Sequence, residues 1–200
     1  IIQELETHNK ADLLLFSNKC TVYKLKIYDI ADSKASALGE YLTNMLELEP
    51  DEKIIYMVAT DDYSGHMLFA YENGKIAKIE LKSYETKTNR RKLANAYSDL
   101  SPVVSIMHLD SDMELVAFSS INKVLVFDTA NINPKSTRNS QGVQVMKGKK
   151  GSTMTRVVRL EESGINNFDY YRTKNIPAVG YYLRPEDVED GQTLLEFEKK

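Results

Sequence analysis

The residues of this 200-residue chain best suited to chemistry are its cations, and they are unevenly distributed. From Thr129 to Leu160 there is no aspartate or glutamate, while Lys135, Arg138, Lys147, Lys149, Lys150, Arg156 and Arg159 supply seven positive charges. A second basic stretch follows Gly74, where Lys75, Lys78, Lys82, Lys87, Arg90, Arg91 and Lys92 stand against only Glu80 and Glu85. The formal net charge of -3 hides both islands, because Asp29 to Asp62 and the tail after Glu161 hold the compensating acid. Clustered lysine and arginine neutralise successive phosphates and release counterions, which holds a polyanion without choosing its sequence. Runs of charge by themselves are more often solvated faces, so placement decides between the two readings. Arg156 and Arg159 alternate with Val157 and Val158 in an expected strand, which suits them to packing or ion pairs.

Other chemistry finds little support. His8, His66 and His108 lie far apart, without the i+4 partner of a zinc helix, and Cys20 is the only cysteine. Gly148 and Gly151 flank Lys149 and Lys150 but lack the Gly-Lys-Ser/Thr ending of a nucleotide-binding loop, so they read as a turn. No catalytic, cofactor-binding or metal-ligating residue is expected. A hydrophobic content of 42% suffices for a full core, and no apolar run approaches the roughly 18 residues of a membrane span. No leader opens the sequence; Ile1 and Ile2 already read as strand, as if cut from a longer protein. The single cysteine fits a reducing cytoplasm.

The elements that must position the cations repeat along the chain. Leu13 to Leu25, Met67 to Ile79 and Leu115 to Phe127 align without gaps, each an apolar strand, a short polar break and a second apolar strand. That is the pattern of a β-hairpin. Cys20, Gly74 and Asn122 share one column of the break; Gly and Asn take positive φ easily, whereas Cys20 there implies a different or strained turn. A further strand recurs at the same period, at Ile1 to Thr7, Ile54 to Thr60, Val103 to Leu109 and, more loosely, Met154 to Leu160. Shorter apolar segments such as Tyr41 to Leu48 and Gly142 to Met146 lie between. Four short strands per period of about 50 residues predict an all-β, propeller-type array; a β-sandwich is the alternative. The expected units are about 1–53, 54–102 and 103–153, with 154–168 starting a last blade and 169–200 supplying closing strands and an acidic tail.

Several groups of residues carry a family resemblance. Asp12-Leu13-Leu14-Leu15-Phe16-Ser17-Asn18-Lys19, Ala37-Leu38-Gly39-Glu40-Tyr41-Leu42 and Leu48-Glu49-Pro50-Asp51-Glu52-Lys53-Ile54-Ile55 resemble inner repeats of the C-terminal domain of bacterial type IIA topoisomerase A subunits, those of gyrase and topoisomerase IV. Asn139 to Met146 and Asn175 to Leu183 are similar to its closing segments. The resemblance implies a partial β-pinwheel of about three to four blades, in which neighbouring blades exchange a strand. It also implies a non-catalytic domain that binds double-stranded DNA on a basic perimeter, bends it and presents it to a cleavage core. The parent would be an ATP-dependent topoisomerase of the bacterial cytoplasm and nucleoid, using ATP and magnesium elsewhere and meeting its B subunit through the part N-terminal to this chain. In that family the nucleophilic tyrosine follows an arginine, and none of the 12 tyrosines here does. The Gln-Arg-Arg-Gly-Gly-Lys-Gly type motif of the gyrase version is also absent, which weakens the expectation of strong wrapping. The residues expected to touch DNA are Lys87, Arg90, Arg91 and Lys92 from one blade and Lys135, Arg138, Lys147, Lys149 and Lys150 from the next. The alternative is a propeller serving as a protein-interaction module, with Glu47 to Asp62 as its face.

Overall fold

The computed structural model describes residues 3–34, 36–86 and 90–189. In chain order its strands are β1 (Asp12–Ser17), β2 (Thr21–Lys26), β3 (Ile54–Thr60), β4 (His66–Tyr71), β5 (Lys75–Glu80), β6 (Lys92–Ala94), β7 (Val103–Leu109), β8 (Glu114–Ser119), β9 (Lys123–Asp128), β10 (Val143–Gln144), β11 (Met154–Arg159) and β12 (Tyr181–Tyr182). Two short helices, α1 (Leu42–Leu46) and α2 (Phe168–Tyr171), complete the regular structure together with single 3-10 turns. The strands form three four-stranded antiparallel sheets, ordered β3-β1-β2-β6, β10-β5-β4-β7 and β11-β8-β9-β12 from one edge to the other.

The three aligned segments are the central hairpins of these sheets. The column occupied by Cys20, Gly74 and Asn122 takes the same left-handed conformation in every copy, with φ of 52°, 80° and 56°. Cys20 therefore makes the same turn as its counterparts and carries the strain itself. Since a β-carbon in this region costs about 1–2 kcal/mol, Cys20→Gly is expected to raise stability by up to about 1 kcal/mol after the loss of its packing. Thermal melts would register a rise of a few degrees.

Each sheet borrows both of its flanking strands from later in the chain. The hairpin β1-β2 takes β3 on one side and β6 on the other; β4-β5 takes β7 and β10; β8-β9 takes β11 and β12. The register of the borrowed strands repeats as well, with an irregularity at Phe16/Ser17, Ala70/Tyr71 and Met154/Arg156. β7 lies against both β3 and β11, so the β3, β7 and β11 edges face one another while β6, β10 and β12 form the outer edges. Polar side chains in one column link these inner strands. The Ser105 hydroxyl accepts from the Val157 amide at 2.9 Å, and the Tyr56 hydroxyl accepts from the His108 amide at 2.9 Å.

The hairpin strands read as unbroken apolar runs because both faces of each sheet are buried. Leu14, Phe16 and Val22 of the first sheet pack on Met67, Phe69 and Ala77 of the second, with Tyr97 stacked on Phe69. Leu68, Ala70 and Ile76 on the far side of the second sheet meet Leu115, Ala117 and Phe127 of the third. The two remaining outer faces are closed by the helices: α1 covers Leu13, Leu15, Tyr23 and Leu25, and the α2 segment covers Val116, Val124 and Val126. Three segments differ from their sequence reading; of Ile1 to Thr7, the described residues 3–7 form no strand. Tyr41 to Leu48 contributes α1 instead of a strand, and the first part of Asp169 to Leu183 is helical, where Tyr171 turns inward to donate to buried Asp187 at 2.7 Å.

Candidate nucleic-acid interface

The cations gather where the chain returns to the outer edges of the sheets. Before forming β6, the chain passes the outside of the first sheet, and the Arg91 carbonyl accepts from the Lys24 amide at 2.8 Å. Lys92 pairs with Tyr23 in the ladder. On the second sheet Lys135 occupies the corresponding edge: its amide donates to Lys78 at 2.8 Å and its carbonyl accepts from Glu80 at 2.9 Å. On the third, Arg172 bridges to Val126, and the Thr173 amide donates to the Val126 carbonyl at 2.8 Å. Backbone bonding thus fixes a basic residue on the outside of each sheet. The side chains of Arg90, Arg91, Lys92, Lys135 and Lys174 are exposed.

Lys147, Lys149 and Lys150 occupy a different place. They belong to the loop from β10 to β11, which crosses from the second sheet to the third at the hairpin-turn end. The Lys147 amide donates to Ala178 at 2.7 Å, the Met154 amide to Glu72 at 2.8 Å, and the Ser152 amide closes a turn on Lys149 at 2.9 Å. All three lysines are exposed. The sequence islands therefore divide into an outer-edge row, comprising Arg90, Arg91, Lys92 and Lys135, and a loop cluster at the junction of the last two sheets. About five residues of β5 separate Lys135 from the Lys147 end of the same edge, or roughly 17 Å of strand. The matching loop between the first two sheets carries Asp99 and no cation.

Internal partners decide which of these charges are available. Lys92 lies 3.3 Å from Glu49 and over the Tyr23 ring, and its contacts with Tyr23 and Glu49 hold its ammonium above the ordinary lysine pKa. Arg91 is 3.8 Å from Asp29. Arg138 is half-buried; it donates to the Ser83 carbonyl at 3.1 Å, its Nε is enclosed without a partner, and it acts as a clamp between connectors. Among the described residues, Arg90, Lys135, Lys147, Lys149 and Lys150 have no ion-pair partner. Lys87 lies outside the described residues. Lys78, from the second island, is buried against Asp112 at 2.5 Å and holds that carboxyl below the usual aspartate range. Arg156 lies over the Phe118 ring and Arg159 donates to the His108 carbonyl, so both serve packing.

Sequence reasoning missed Lys174 on the third sheet, because Asp169 and Glu186 on either side mask it in a charge count. In the repeat register Thr173 takes the place of Lys135, and Lys174 follows it by one residue. Nearby Arg172 is committed to Glu114, with bonds of 2.5 and 2.8 Å, and to Asp169. His8 contacts Asp61, while His66, which opens β4, and His108, beside the Ser64 carbonyl, lie on the paired strands β4 and β7. Among the described residues no three His, Cys, Asp or Glu side chains converge as a metal site, and no helix is long and apolar enough to cross a membrane. The arrangement can neutralise polyanion at the outer edge and at one junction loop.

Comparison with known proteins agrees with the fold. No family model matches the chain. It is similar to the A subunit of DNA gyrase from Helicobacter pylori, at 30% identity over 125 residues, covering 61% of the chain and 14% of that protein. Among solved structures it is similar to the C-terminal domain of DNA topoisomerase IV, with a TM-score of 0.67 and 27% identity, covering 76% of the chain and 48% of that domain. It also shares the fold of the E. coli ParC C-terminal domain, with a TM-score of 0.68 at 13% identity, covering 92% of the chain and 80% of that domain. The chain spans between 14% and 19% of the length of the first curated relatives it matches.

Proposed function

We propose that this chain, a homologue of the C-terminal domains of the A subunits of DNA gyrase and topoisomerase IV, holds the backbone of duplex DNA along its outer edge. The observation that supports this most is the recurrence of exposed cations at equivalent edges of successive sheets, joined by three lysines with no internal ion pair. Such a row takes up consecutive phosphates without reading bases. Its contacts favour DNA that follows the edge, offsetting a bending cost of about 1–6 kcal/mol for sites of 20–30 base pairs. In this reading the domain has no active site and presents bent DNA to a cleavage core elsewhere in an ATP- and magnesium-dependent topoisomerase. That enzyme works at the nucleoid of the bacterial cytoplasm, together with its B subunit.

Lys147, Lys149 and Lys150 should contribute strongly, because they surrender no internal ion pair on meeting phosphate and stand within four residues of one another. Reversing all three to glutamate is expected to weaken binding of a duplex of roughly 40 base pairs by about thirtyfold or more at moderate salt, and to reduce the salt slope by about 2.7. Gel-shift titrations at about 50 and 200 mM salt, with two unrelated duplex sequences, measure both quantities. Unchanged affinity in the triple variant would reject these contacts, and strong preference for one duplex would reject backbone recognition.

A further inference from the structure

The third sheet departs from the first two at one place on its outer edge. Ala94 faces Thr21 in the first sheet, Gln144 faces Lys75 in the second and Tyr182 faces Lys123 in the third. Ala94 has little side chain to offer, and the Gln144 amide turns back to donate to the Asn73 and Met146 carbonyls, each at 2.8 Å. Tyr182 does neither, and 57% of it stays exposed. The Lys123 ammonium lies over its ring at 4.9 Å, holding one face and leaving the exposure to the other.

The ring is fixed in place by its backbone, and the same turn fixes the lysine loop. The Leu183 amide donates to the Asn122 carbonyl at 2.8 Å, and the Lys123 ammonium donates to the Gly180 carbonyl at 3.4 Å. On the other side of this turn the Ser120 amide donates to the Thr153 carbonyl at 2.9 Å, and the Ser120 hydroxyl accepts from the Thr153 amide at 3.0 Å. The start of the loop is tied to the segment that leads to Tyr182, through the bond from the Lys147 amide to Ala178. An open aromatic face and three unpaired lysines are thus set around one hairpin turn. Lysines hold phosphates but offer nothing to a base. An aromatic ring offers a stacking face that any base can use, provided the base has a face free. In a duplex both faces of each base are covered by its neighbours, whereas a base already unpaired comes to the ring at little unstacking cost.

We infer that Tyr182 is a stacking platform for an unpaired base of single-stranded DNA whose phosphates lie on Lys147, Lys149 and Lys150. The inference rests on the reading of that loop as a phosphate seat and adds a ligand class to it. Lys123 is the positioning residue, keeping the ring turned toward the loop side of the edge. The seat therefore favours DNA that is locally opened over DNA that is fully paired.

The test compares the 200-residue chain with its variants on a labelled single strand of about 30 nucleotides and on a duplex of the same length. Tyr182→Ala is expected to weaken single-strand binding by about tenfold and to change duplex binding by less than about twofold. Tyr182→Phe keeps the ring and should keep the single-strand affinity. The salt slope for the single strand should be unaltered in Tyr182→Ala, because no phosphate contact is lost, and should fall when the three lysines are reversed to glutamate. A failed phosphate seat thus shows as an unchanged slope in the lysine variant, and a failed platform as an unchanged affinity in Tyr182→Ala. That unchanged affinity would overturn the inference and leave the open face of the ring to a protein partner. An equal loss on single strand and duplex would overturn it too, because the ring would then pack on the sugars of paired DNA.

Discussion

Gly142→Ala is expected to lower the unfolding free energy of the chain by about 2–5 kcal/mol. At φ of +75° an alanine incurs about 1–2 kcal/mol of left-handed strain. The new carbon would also stand 2.2 Å from the Ile76 carbonyl oxygen, 2.3 Å from its carbon and 2.5 Å from the Ala77 nitrogen, all backbone atoms that cannot swing aside. Relieving that overlap displaces β10, costing about 1–3 kcal/mol more and detaching the outer edge that carries Lys135 and leads into the lysine loop. Gly151→Ala is the matched control. It has φ of +84° with no atom within 4 Å, so it isolates the conformational cost of about 1–2 kcal/mol. Urea unfolding of both variants separates the two terms. Equal losses would mean that β10 does not lie against β5 as described.

Glu52 is the second position where a single change should be severe. Its buried carboxylate accepts from the Ser17 hydroxyl at 2.5 Å, the Tyr23 hydroxyl at 2.8 Å and the Glu49 amide at 3.0 Å. Glu52→Ala strands the Ser17 and Tyr23 hydroxyls in the interior and frees the Glu49 amide, and is expected to cost about 3–5 kcal/mol. The same site gives a pH dependence. Burial pushes the carboxyl pKa up, but the bonds from Ser17, Glu49 and Tyr23 and the charge of Lys92 outweigh it, leaving the folded value below the ordinary one. The stabilisation is therefore complete above the unfolded pKa of about 4.3 and is lost as pH falls through the lower, folded value. Glu52→Gln should flatten the acid limb of stability between about pH 5 and pH 3. Urea midpoints across that range measure it, and an unchanged limb would remove Glu52 from the acid response.

Why these two positions escaped notice at the level of sequence is instructive. The hairpins were legible because both strands of each are long, apolar and aligned without gaps, and because Gly74 and Asn122 announce the turn. Of the outer-edge strands, β10 falls within the expected segment Gly142 to Met146 and β12 within Asn175 to Leu183, whereas β6, three residues with a single buried side chain, gives no periodic signal. Glu52 sits in an acidic run that reads as solvated surface; only the return of β3 to the first sheet turns it inward. The basic islands were visible as charge. What composition could not sort was availability, with Lys78 buried on Asp112, Arg138 clamped to Ser83 and Lys147 through Lys150 left open. Tyr41 to Leu48 misled because over so few residues a short strand and the five-residue helix α1 share the same apolar spacing.

The borrowed edge strands also set the timing of assembly during synthesis. A ribosome that has released residue 80 has delivered two hairpins yet not one finished sheet, because the first waits for Lys92–Ala94 and the second for Val143–Gln144. Completion therefore trails translation by one module throughout. The nascent chain must carry an open edge until the next stretch emerges, and during that interval it is most exposed to capture by a neighbouring strand.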